Sequence, residues 1–340
     1  MERKAETVDL SIIIVNWNTR DHLRACLQSI YAHPPSKYTF EVIVVDNASA
    51  DGSVDMVRRE FPQVHVIANN YNYGFAKATN QGYRISRGRY VMTLNPDTEV
   101  FDGTLDGLVE FLDTHPDAGA VQPCPAGAVQ PYLAPYDFPK YPKSFILQQI
   151  SRVSKCRWMK KDSGNVRKPF EVVWLRGTGL TCRRDALGPD SFFAEWSFLY
   201  YEEHWLSIRL REKGKKLYAA PNLKIHHAWG ASLRRSPESR YRATLLSVAG
   251  GYVVLCYMFG PWIARLHAIV HLLDGIIVWP ILWLKQRFRK DSLRAVALAE
   301  WKAIIYGNWW NLLRGGEEYF HKVNDDTERF FNSGNDPQSV

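Results

Sequence analysis

Short runs of apolar, β-branched residues alternate with helical patterns throughout the first 120 residues of the chain. The first of them, Leu10–Val15, is apolar except for Ser11 and rich in β-branched residues, as expected for a strand that is buried on both faces of a sheet. Further strands are predicted at 41–45, 64–67 and 90–94, and helices at 21–33, 53–61, 75–86 and 104–114. Strands separated by helices at this spacing predict a mostly parallel, doubly wound α/β sheet.

The composition agrees with a folded chain and narrows its partners. Hydrophobic residues make up 46% of the 340 residues and charged residues 23%, which excludes extensive disorder. The net charge of +8 indicates a polyanionic partner, such as a phosphorylated substrate or an anionic membrane. No recognised binding motif supports nucleic acid as that partner. Five cysteines without C-x-x-C spacing argue against a zinc site and a disulfide framework.

Each of the first four predicted strands ends in polar residues. Asn16 and Asn18 follow the first strand, Asp46 the second, 69–72 the third, and Asn95 and Asp97 the fourth. A single such loop is explained by turns and helix caps. Because the carboxyl ends of parallel strands meet at one edge of a sheet, four aligned ends favour one wide polar crevice.

The residue types in this crevice narrow the ligand. The first strand is not followed by G-x-G-x-x-G, and a P-loop is absent, so the usual dinucleotide and nucleotide loops are not expected. Carboxylates and amides suit a nucleoside with a metal-bound diphosphate. Asp46 is placed to accept from a pyrimidine or ribose, and Asp97 to bind a hard divalent cation through oxygen.

Several motifs in fixed order resemble a known family. They are 11–18 (SIIIVNWN), 44–53 (VVDNASADGS), 72–82 (NYGFAKATNQG), 94–98 (LNPDT), 174–179 (WLRGTG), 200–203 (YYEE) and 225–232 (IHHAWGAS). Over about residues 8–235 the chain resembles family 2 glycosyltransferases, and more narrowly their rhamnosyltransferase-like branch. The resemblance implies a GT-A fold and transfer of a sugar from a nucleotide-diphospho donor with inversion.

The resemblance also implies roles for individual residues. Asp46 matches the nucleoside-binding acid, Asp97 the metal-binding carboxylate of the D-x-D element, and Glu203 the catalytic base. His226 matches the position that completes the metal shell in some relatives, with His227 as the neighbouring alternative, and the metal is Mg²⁺ or Mn²⁺. Further candidates on the nucleotide-sugar side are Asn16, Asn18, Asn72, Asn80 and Asn95. Candidates on the acceptor or phosphate side are Trp174, Gly177, Glu202, Arg234 and Arg235.

Two residues depart from the family pattern. Asn95 stands where stricter members have a first Asp, and Trp205 replaces an acid that usually follows the base. The favoured function is a metal-dependent transferase that moves rhamnose or another deoxyhexose to a lipid-linked or polysaccharide acceptor of the cell envelope. Its donor is linked to dTDP, UDP or GDP. The alternative function is a catalytically silent scaffold in a polysaccharide-assembly complex.

The composition changes after about Ser236. Ala243–Ile263 has no formal charge over 21 residues, which is long enough to cross a bilayer. Leu266–Leu284 is also apolar, but its polar residues (His267, His271 and Asp274) share one helical face, which favours lying in the membrane interface. Pro280 is expected to interrupt this second helix. A soluble helical subdomain packed on the catalytic core is the alternative.

These features divide the chain into four parts. Residues 8–122 are the predicted nucleotide-sugar-binding half and 123–235 the acceptor and catalytic half of one glycosyltransferase domain. Residues 236–315 are predicted membrane-associating helices, peripheral or monotopic on the cytoplasmic face of the cell membrane, and 316–340 a polar tail.

Overall fold

The computed structural model describes residues 8–126, 168–228, 236–288, 292–314 and 316–333. The strands are β1 (Leu10–Asn16), β2 (Phe40–Asp46), β3 (His65–Ala68), β4 (Tyr90–Leu94), β5 (Thr98–Val100), β6 (Ala118–Pro125), β7 (Phe170–Val172), β8 (Leu180–Arg183) and β9 (Lys216–His227). The helices are α1 (Arg20–Ala32), α2 (Ser53–Glu60), α3 (Gly74–Ile85), α4 (Thr104–Thr114), α5 (Glu202–Glu212), α6 (Pro237–Phe259), α7 (Pro261–Phe288), α8 (Ser292–Arg314) and α9 (Glu317–Asn332).

The described chain falls into two compact units. The first, called the sheet unit, contains residues 8–126, 168–195 and 202–228, and the second, called the helical unit, contains 196–201 and everything described from 236 onward. The short segment 196–201 lies between β8 and α5 in the sequence but belongs to the helical unit.

One mixed sheet forms the centre of the sheet unit. Its strand order is β3-β2-β1-β4-β8-β6-β9-β5, and β7 pairs with β9. The first four strands run parallel to one another, and β8 enters antiparallel between β4 and β6. The predicted α/β sheet is therefore confirmed, and its parallel half is the part that the strand-helix alternation predicts.

Strand β1 is apolar on both sides because helices cover both faces of the sheet. Ile12 and Ile14 lie in one core with Leu27 of α1, whereas Ile13 lies in a second core with residues of α3. On that second face Gly82 lies so close to β1 that a Cβ would come within 2.7 Å of the Ile13 side chain. Alternation along a strand thus places neighbouring residues in different cores.

The helical unit differs from the sequence prediction at two places. The charge-free run is divided, because α6 ends before Gly260 (φ 84°) and α7 begins at Pro261. Helix α7 continues through Pro280, which was expected to interrupt it. Residues 317–332, within the predicted polar tail, form α9, whose apolar face is buried.

Segment 196–201 packs within the helical unit through its aromatic side chains. The ring of Phe198 stacks on Phe331 at 5.7 Å, and Trp196 lies 4.6 Å from Phe320, both partners being on α9. The backbone N–H of Phe198 donates to Asn324 Oδ1 at 2.6 Å. The segment is therefore held by side-chain stacking and a backbone hydrogen bond to α9.

Candidate active site

Asp46 is held rigidly at the carboxyl ends of β1 and β2. Asn16 and Asp46 are partners in the parallel register, and Asn16 Nδ2 donates to Asp46 Oδ1 at 2.7 Å. The backbone N–H of Ser49 donates to the other carboxylate oxygen at 2.8 Å. A carboxylate has about four acceptor positions, so two remain for a ligand. This geometry suits recognition of a base N–H or a ribose hydroxyl.

The two loops beside Asp46 contain strained backbone. Asn18 (φ 51°) and Ala48 (φ 61°) both adopt the left-handed conformation, which costs a non-glycine residue about 1–3 kcal/mol. Asn18 Oδ1 accepts from the N–H of Ala50, and its own N–H donates to Ser49 Oγ, both at 2.8 Å. These cross-loop hydrogen bonds maintain the strained conformation, so the ends of β1 and β2 form one preorganised surface.

Asn72 extends this surface toward β3. Its Oδ1 accepts from the N–H of Gly74 at 3.0 Å, and its side chain is buried. The carbonyl of Gly74 in turn accepts from Asn47 Nδ2 at 3.1 Å. Asn72 therefore shapes the loop that lies next to Asp46.

The predicted role of Asn80 on the nucleotide side is corrected by its contacts. Its Nδ2 donates to the carbonyl of Phe193 at 2.8 Å and to Glu195 Oε1 at 2.9 Å. Its Oδ1 accepts the backbone N–H groups of Phe192 and Phe193 at 2.8 and 2.9 Å. The side chain is fully buried and its amide has both donors and both acceptor positions in use. Asn80 therefore fixes residues 192–195 and has no capacity for a nucleotide.

A second polar pair lies where β5 and β9 pair. His227 Nε2 is 3.2 Å from Asp97 Oδ1, and both side chains are buried. His226 instead lies 3.4 Å from Glu99 Oε1, with 53% of its side chain exposed. Side chains alternate across a strand, so adjacent histidines face opposite sides of β9. The structure thus brings His227, and not the predicted His226, to Asp97.

Asp97 and His227 fit a divalent metal that is shared with a substrate. Within the described ranges no group of three or more His, Cys, Asp or Glu residues is arranged to hold a metal by itself. Mg²⁺ is usually bound through one or two carboxylates together with substrate phosphates, and not by an all-protein cage. One carboxylate oxygen and one imidazole nitrogen at this distance supply the protein share of such a site.

The loop 174–178 links the sheet edge to α5. Asn95 Nδ2 donates to Thr178 Oγ1 at 2.9 Å, and Thr93 Oγ1 donates to the carbonyl of Gly177 at 2.8 Å. At the other end of the loop, the N–H of Leu175 donates to Ser207 Oγ of α5 at 3.2 Å. Asn95 and Gly177 therefore act in positioning this loop.

Glu203 lies in the first turn of α5, beside His204 and Trp174. Its Oε1 is 3.5 Å from His204 Nδ1, and the His204 ring lies 5.5 Å from the ring of Trp174. Burial raises the pKa of Glu203, but the hydrogen bond and charge of His204, with the charge of Arg176, outweigh it and leave the pKa below its usual range. Glu203 is thus ionised at neutral pH.

The pKa of Glu202 is shifted in the opposite direction. Its side chain is buried, and burial together with the adjacent charge of Glu203 raises the pKa of Glu202 well above its usual range. Two neighbouring carboxyl groups whose environments separate their pKa values are a common arrangement for acid and base roles. Of the two, Glu203 has the lower pKa and is the more readily ionised, as a base requires.

Two predicted residues cannot be placed, and several contributors were not predicted. Arg234 and Arg235 lie outside the described residues. Gln122 (through the N–H of Arg176), Ser49 and His204 were missed. Ser49 lies inside a motif that the sequence did show, and His204 follows Glu203 directly, but Gln122 becomes a neighbour of the site only through the fold.

Comparison with known proteins decides the family. A model described as glycosyl transferase family 2 matches residues 11–158. This part of the chain is a family 2 glycosyltransferase domain. The resemblance drawn from the motifs is thereby confirmed.

The relatives of this glycosyltransferase include enzymes named for lipid-linked substrates. An N-acetylglucosaminyl-diphospho-decaprenol L-rhamnosyltransferase of Mycobacterium tuberculosis is 26% identical over 274 residues, which is 74% of this chain and 86% of that one. A UDP-Glc:α-D-GlcNAc-diphosphoundecaprenol β-1,3-glucosyltransferase, WfaP, of Escherichia coli is 28% identical over 31% of this chain and 41% of that one.

The fold of this glycosyltransferase also has a solved counterpart. The mannosyltransferase PcManGT of Pyrobaculum calidifontis, in complex with GDP-Man and Mn²⁺, superposes with a TM-score of 0.52 and 16% identity. The match covers 91% of this chain and 88% of the other. At this identity the likeness concerns the fold, and it confirms the predicted GT-A architecture.

Proposed function

We propose that this glycosyltransferase moves a deoxyhexose, with L-rhamnose as the first candidate, from a nucleotide-diphospho sugar to a lipid-linked diphospho-glycan of the cell envelope. The names of the mycobacterial and Escherichia coli relatives support a polyprenol-diphosphate acceptor, and the first of them supports rhamnose. The donor nucleotide is dTDP, UDP or GDP, since Asp46 accepts from any of these nucleosides.

One observation carries the proposal. The sheet unit combines a fixed nucleoside-binding carboxylate (Asp46), a carboxylate–imidazole pair (Asp97 and His227) and an ionised, largely buried glutamate (Glu203). In a glycosyl transfer, the first of these groups would bind the nucleoside, the pair would bind a metal with the diphosphate, and the glutamate would take the proton of the acceptor hydroxyl. A protein that served only as a scaffold has no need of an ionised carboxylate in a buried position.

Glu203 supplies the base in the proposed reaction. It takes the proton of the acceptor hydroxyl while that oxygen attacks the anomeric carbon and the bond to the nucleoside diphosphate breaks. Attack from the side opposite to the leaving group inverts the anomeric configuration. His204, held against Trp174, orients the carboxylate and favours its ionised form.

Asp97 and His227 would hold the divalent cation, Mg²⁺ or Mn²⁺, together with the donor diphosphate. When bound, such a cation neutralises the negative charge of the departing diphosphate. The buried position of both side chains limits competition from water for these ligands. Asp46 orients the donor from the nucleoside end.

A panel of dTDP-, UDP- and GDP-sugars tests this proposal. The purified full chain is incubated with each donor, Mg²⁺ or Mn²⁺ and a synthetic GlcNAc-diphospho-polyprenol. We expect turnover with one deoxyhexose donor, loss of turnover in EDTA, and an inverted anomeric centre by NMR. The absence of both transfer and donor hydrolysis across the panel would show that the chain is a catalytically silent scaffold. A product with retained configuration would exclude the role of Glu203.

The cellular place of the enzyme follows from its acceptor. A polyprenol-linked glycan stays at the bilayer, so we place the enzyme on the cytoplasmic face of the cell membrane as a peripheral or monotopic protein. Two described helices, α6 and α7, are long and apolar enough to cross a membrane by length and composition. Fractionation of cells that express the full chain tests this placement, with recovery in the membrane pellet as the expected result.

A further inference from the structure

An apolar stripe faces outward along the whole of α7. Its large apolar side chains recur every three or four residues on one face of the helix. The members are Trp262, Leu266, Ile269, Leu273, Ile276, Ile277 and Leu284, and each is at least 42% exposed. We call this set the α7 stripe. A helix on the surface of a soluble protein has the reverse pattern, with its polar face outward.

The opposite face of α7 is small and polar. Ala264, Ala268 and Asp274 are fully buried there, and His271 is 3% exposed. His271 Nδ1 lies 3.9 Å from Asp274 Oδ2. At Gly275 a Cβ would come within 2.4 Å of Ile305 of α8, so the two helices are in close contact on this side. The polar groups in the middle of α7, His271 and Asp274, are thus enclosed inside the helical unit.

Helix α8 also has polar side chains buried inside and large apolar side chains exposed outside. Asn308 and Asn311 are buried and donate to the carbonyls of Ile304 and Val248, at 2.8 and 3.3 Å. Trp309, between them in the sequence, is 52% exposed. Both helices therefore turn polar side chains inward, an imidazole and a carboxyl group on α7 and two amides on α8, and large apolar groups outward, which stabilises a protein only where the surroundings are apolar.

We propose that α7 lies in the plane of the membrane interface with the α7 stripe among the acyl chains, and that α7, rather than α6, which contains most of the charge-free run, is the element that binds the bilayer. The inference rests on the proposed function in that a lipid-linked acceptor requires a membrane-bound enzyme. In the most apolar 18-residue stretch of α7, only 22% is buried inside the protein, whereas 56% of the corresponding stretch of α6 is buried. Helix α6 is thus largely covered by protein.

The charged groups near the stripe specify an anionic bilayer. Arg265 lies at one end of it, with its guanidinium 5.4 Å from the ring centre of Trp262, and Lys285 and Arg287 are exposed at the other end. Cations at both ends with tryptophan beside them match the headgroup level of an anionic membrane.

The packing of α7 argues for the in-plane arrangement. Helix α8 follows α7 closely, from Leu312 beside Ala268 to Trp301 beside Leu282. If α7 crossed the bilayer, α8 would have to cross with it and would carry the exposed Lys302 into the hydrocarbon, which is costly. A unit with one apolar side needs an environment that is apolar on one side, which the interface supplies.

Vesicle binding by the full chain tests the surface. We expect binding to vesicles of phosphatidylcholine and phosphatidylglycerol, weaker binding to phosphatidylcholine alone, and at least about tenfold weaker binding for the double variant Leu266→Glu/Ile276→Glu. The matched control is Ile85→Glu in the sheet unit, where the side chain is 49% exposed, and it should bind vesicles as the wild type does. Because all three positions are exposed, the variants should fold and bind nucleotide normally.

Labelling from each side of the membrane tests the orientation. Cysteines are introduced at Arg265 and Lys285, with Cys156 and Cys256 replaced by alanine, because Cys26, Cys124 and Cys182 are buried. In-plane binding predicts that an impermeant maleimide labels both positions in inverted membrane vesicles and neither in spheroplasts. Labelling of one position from each side would show a spanning helix and overturn the proposal.

Two further outcomes would also overturn it. One is unchanged vesicle binding by Leu266→Glu/Ile276→Glu. The other is a stable, vesicle-indifferent dimer in light scattering that the double substitution dissociates, since a second copy would then be the partner of the stripe. Vesicle binding requires no turnover, so a failure here leaves the proposed transfer reaction standing, and an inactive enzyme leaves the vesicle result standing.

Discussion

The sheet unit and the helical unit distribute polar groups in opposite ways. In the sheet unit apolar strands fill the core, and polar side chains such as Asp46 and Asp97 collect at one edge of the sheet. In the helical unit Asp274 and Asn308 are inside, and large apolar side chains such as Trp262 are outside. The hydrophobic effect acts on both units, so the apolar outer side of the helical unit supports the membrane placement proposed above, which the sheet unit does not need.

The largest expected effect separates chemistry from placement. Glu203→Gln keeps the size of the side chain but cannot accept a proton, so kcat should fall by about 10²–10⁴. Donor affinity and vesicle binding should stay at wild-type values, because they depend on other residues. Steady-state kinetics with the lipid-linked acceptor, alongside isothermal titration with the donor, give these values.

Glu202→Gln is the matched control for that experiment. Because burial and the charge of Glu203 raise the pKa of Glu202 and favour its neutral form, its replacement by a neutral amide should change kcat far less. A loss of kcat that is larger for Glu202→Gln than for Glu203→Gln would exchange the roles of the two residues.

A smaller effect is expected at the metal pair, and it tests the alternation along β9. His227→Ala should lower the apparent affinity for the activating metal by on the order of 10- to 100-fold, as the loss of groups around a metal does. His226→Ala, which removes an exposed neighbour of Glu99, should change it little. Titration of activity with Mn²⁺ gives both values. Equal losses of metal affinity in the two variants would show that His227 is not the metal-binding histidine in preference to His226.

The buried amides of the two units allow a direct comparison of stability. Asn80→Ala in the sheet unit removes four hydrogen bonds and leaves buried backbone groups of 192–193 without partners, which should cost at least about 1–3 kcal/mol in the free energy of unfolding. Nucleotide affinity should not change in protein that remains folded. Asn311→Ala removes one weaker hydrogen bond in the helical unit and should cost less. Denaturant unfolding in detergent measures both, and a reversed order would contradict the contact pattern.

The smallest expected effect is a change in how steeply the midpoint of thermal unfolding depends on pH. The pKa of Glu202 is higher in the folded chain than its ordinary value of 4.5, so its contribution to stability is complete below about pH 4.5 and is lost as the pH rises toward the folded value. The midpoint of thermal unfolding should therefore fall less steeply between pH 5 and 8 in Glu202→Gln than in the wild type. Parallel curves would show that Glu202 is ionised in the folded chain.

The features that the sequence predicted are those that local patterns determine. The strand-helix alternation located β1–β4 because buried strands and amphipathic helices have different apolar periods. The polar residues after each strand located Asp46 and Asp97 because parallel strands share one ligand-binding edge. The family motifs added Glu203, which has no local signal of its own beyond a pair of acids at a helix start.

The features that the sequence did not predict depend on pairing between distant segments. The choice between His226 and His227 is set by the antiparallel register of β5 with β9, which neither segment contains alone. The side chain of Asn80 forms hydrogen bonds with backbone groups that lie more than 110 positions away in the sequence. The sequence predicted that both apolar runs associate with the membrane, but only the packing shows that α6 is the more covered of the two helices and α7 the more exposed.

Residues 196–201 belong to the helical unit although the sequence on both sides of them belongs to the sheet unit, and this limits how chimeras of such enzymes can be built. Exchange of a C-terminal module between relatives is a common route to new specificity, and it assumes that one cut separates the modules. Here Trp196 and Phe198 pack against α9 although they precede α5 in the chain, so a chimera joined near residue 235 would pair these two aromatic residues with a foreign helix. A working exchange has to transplant 196–201 together with the helices, and any sequence drift in α9 has to be matched by compensating change in that hexapeptide.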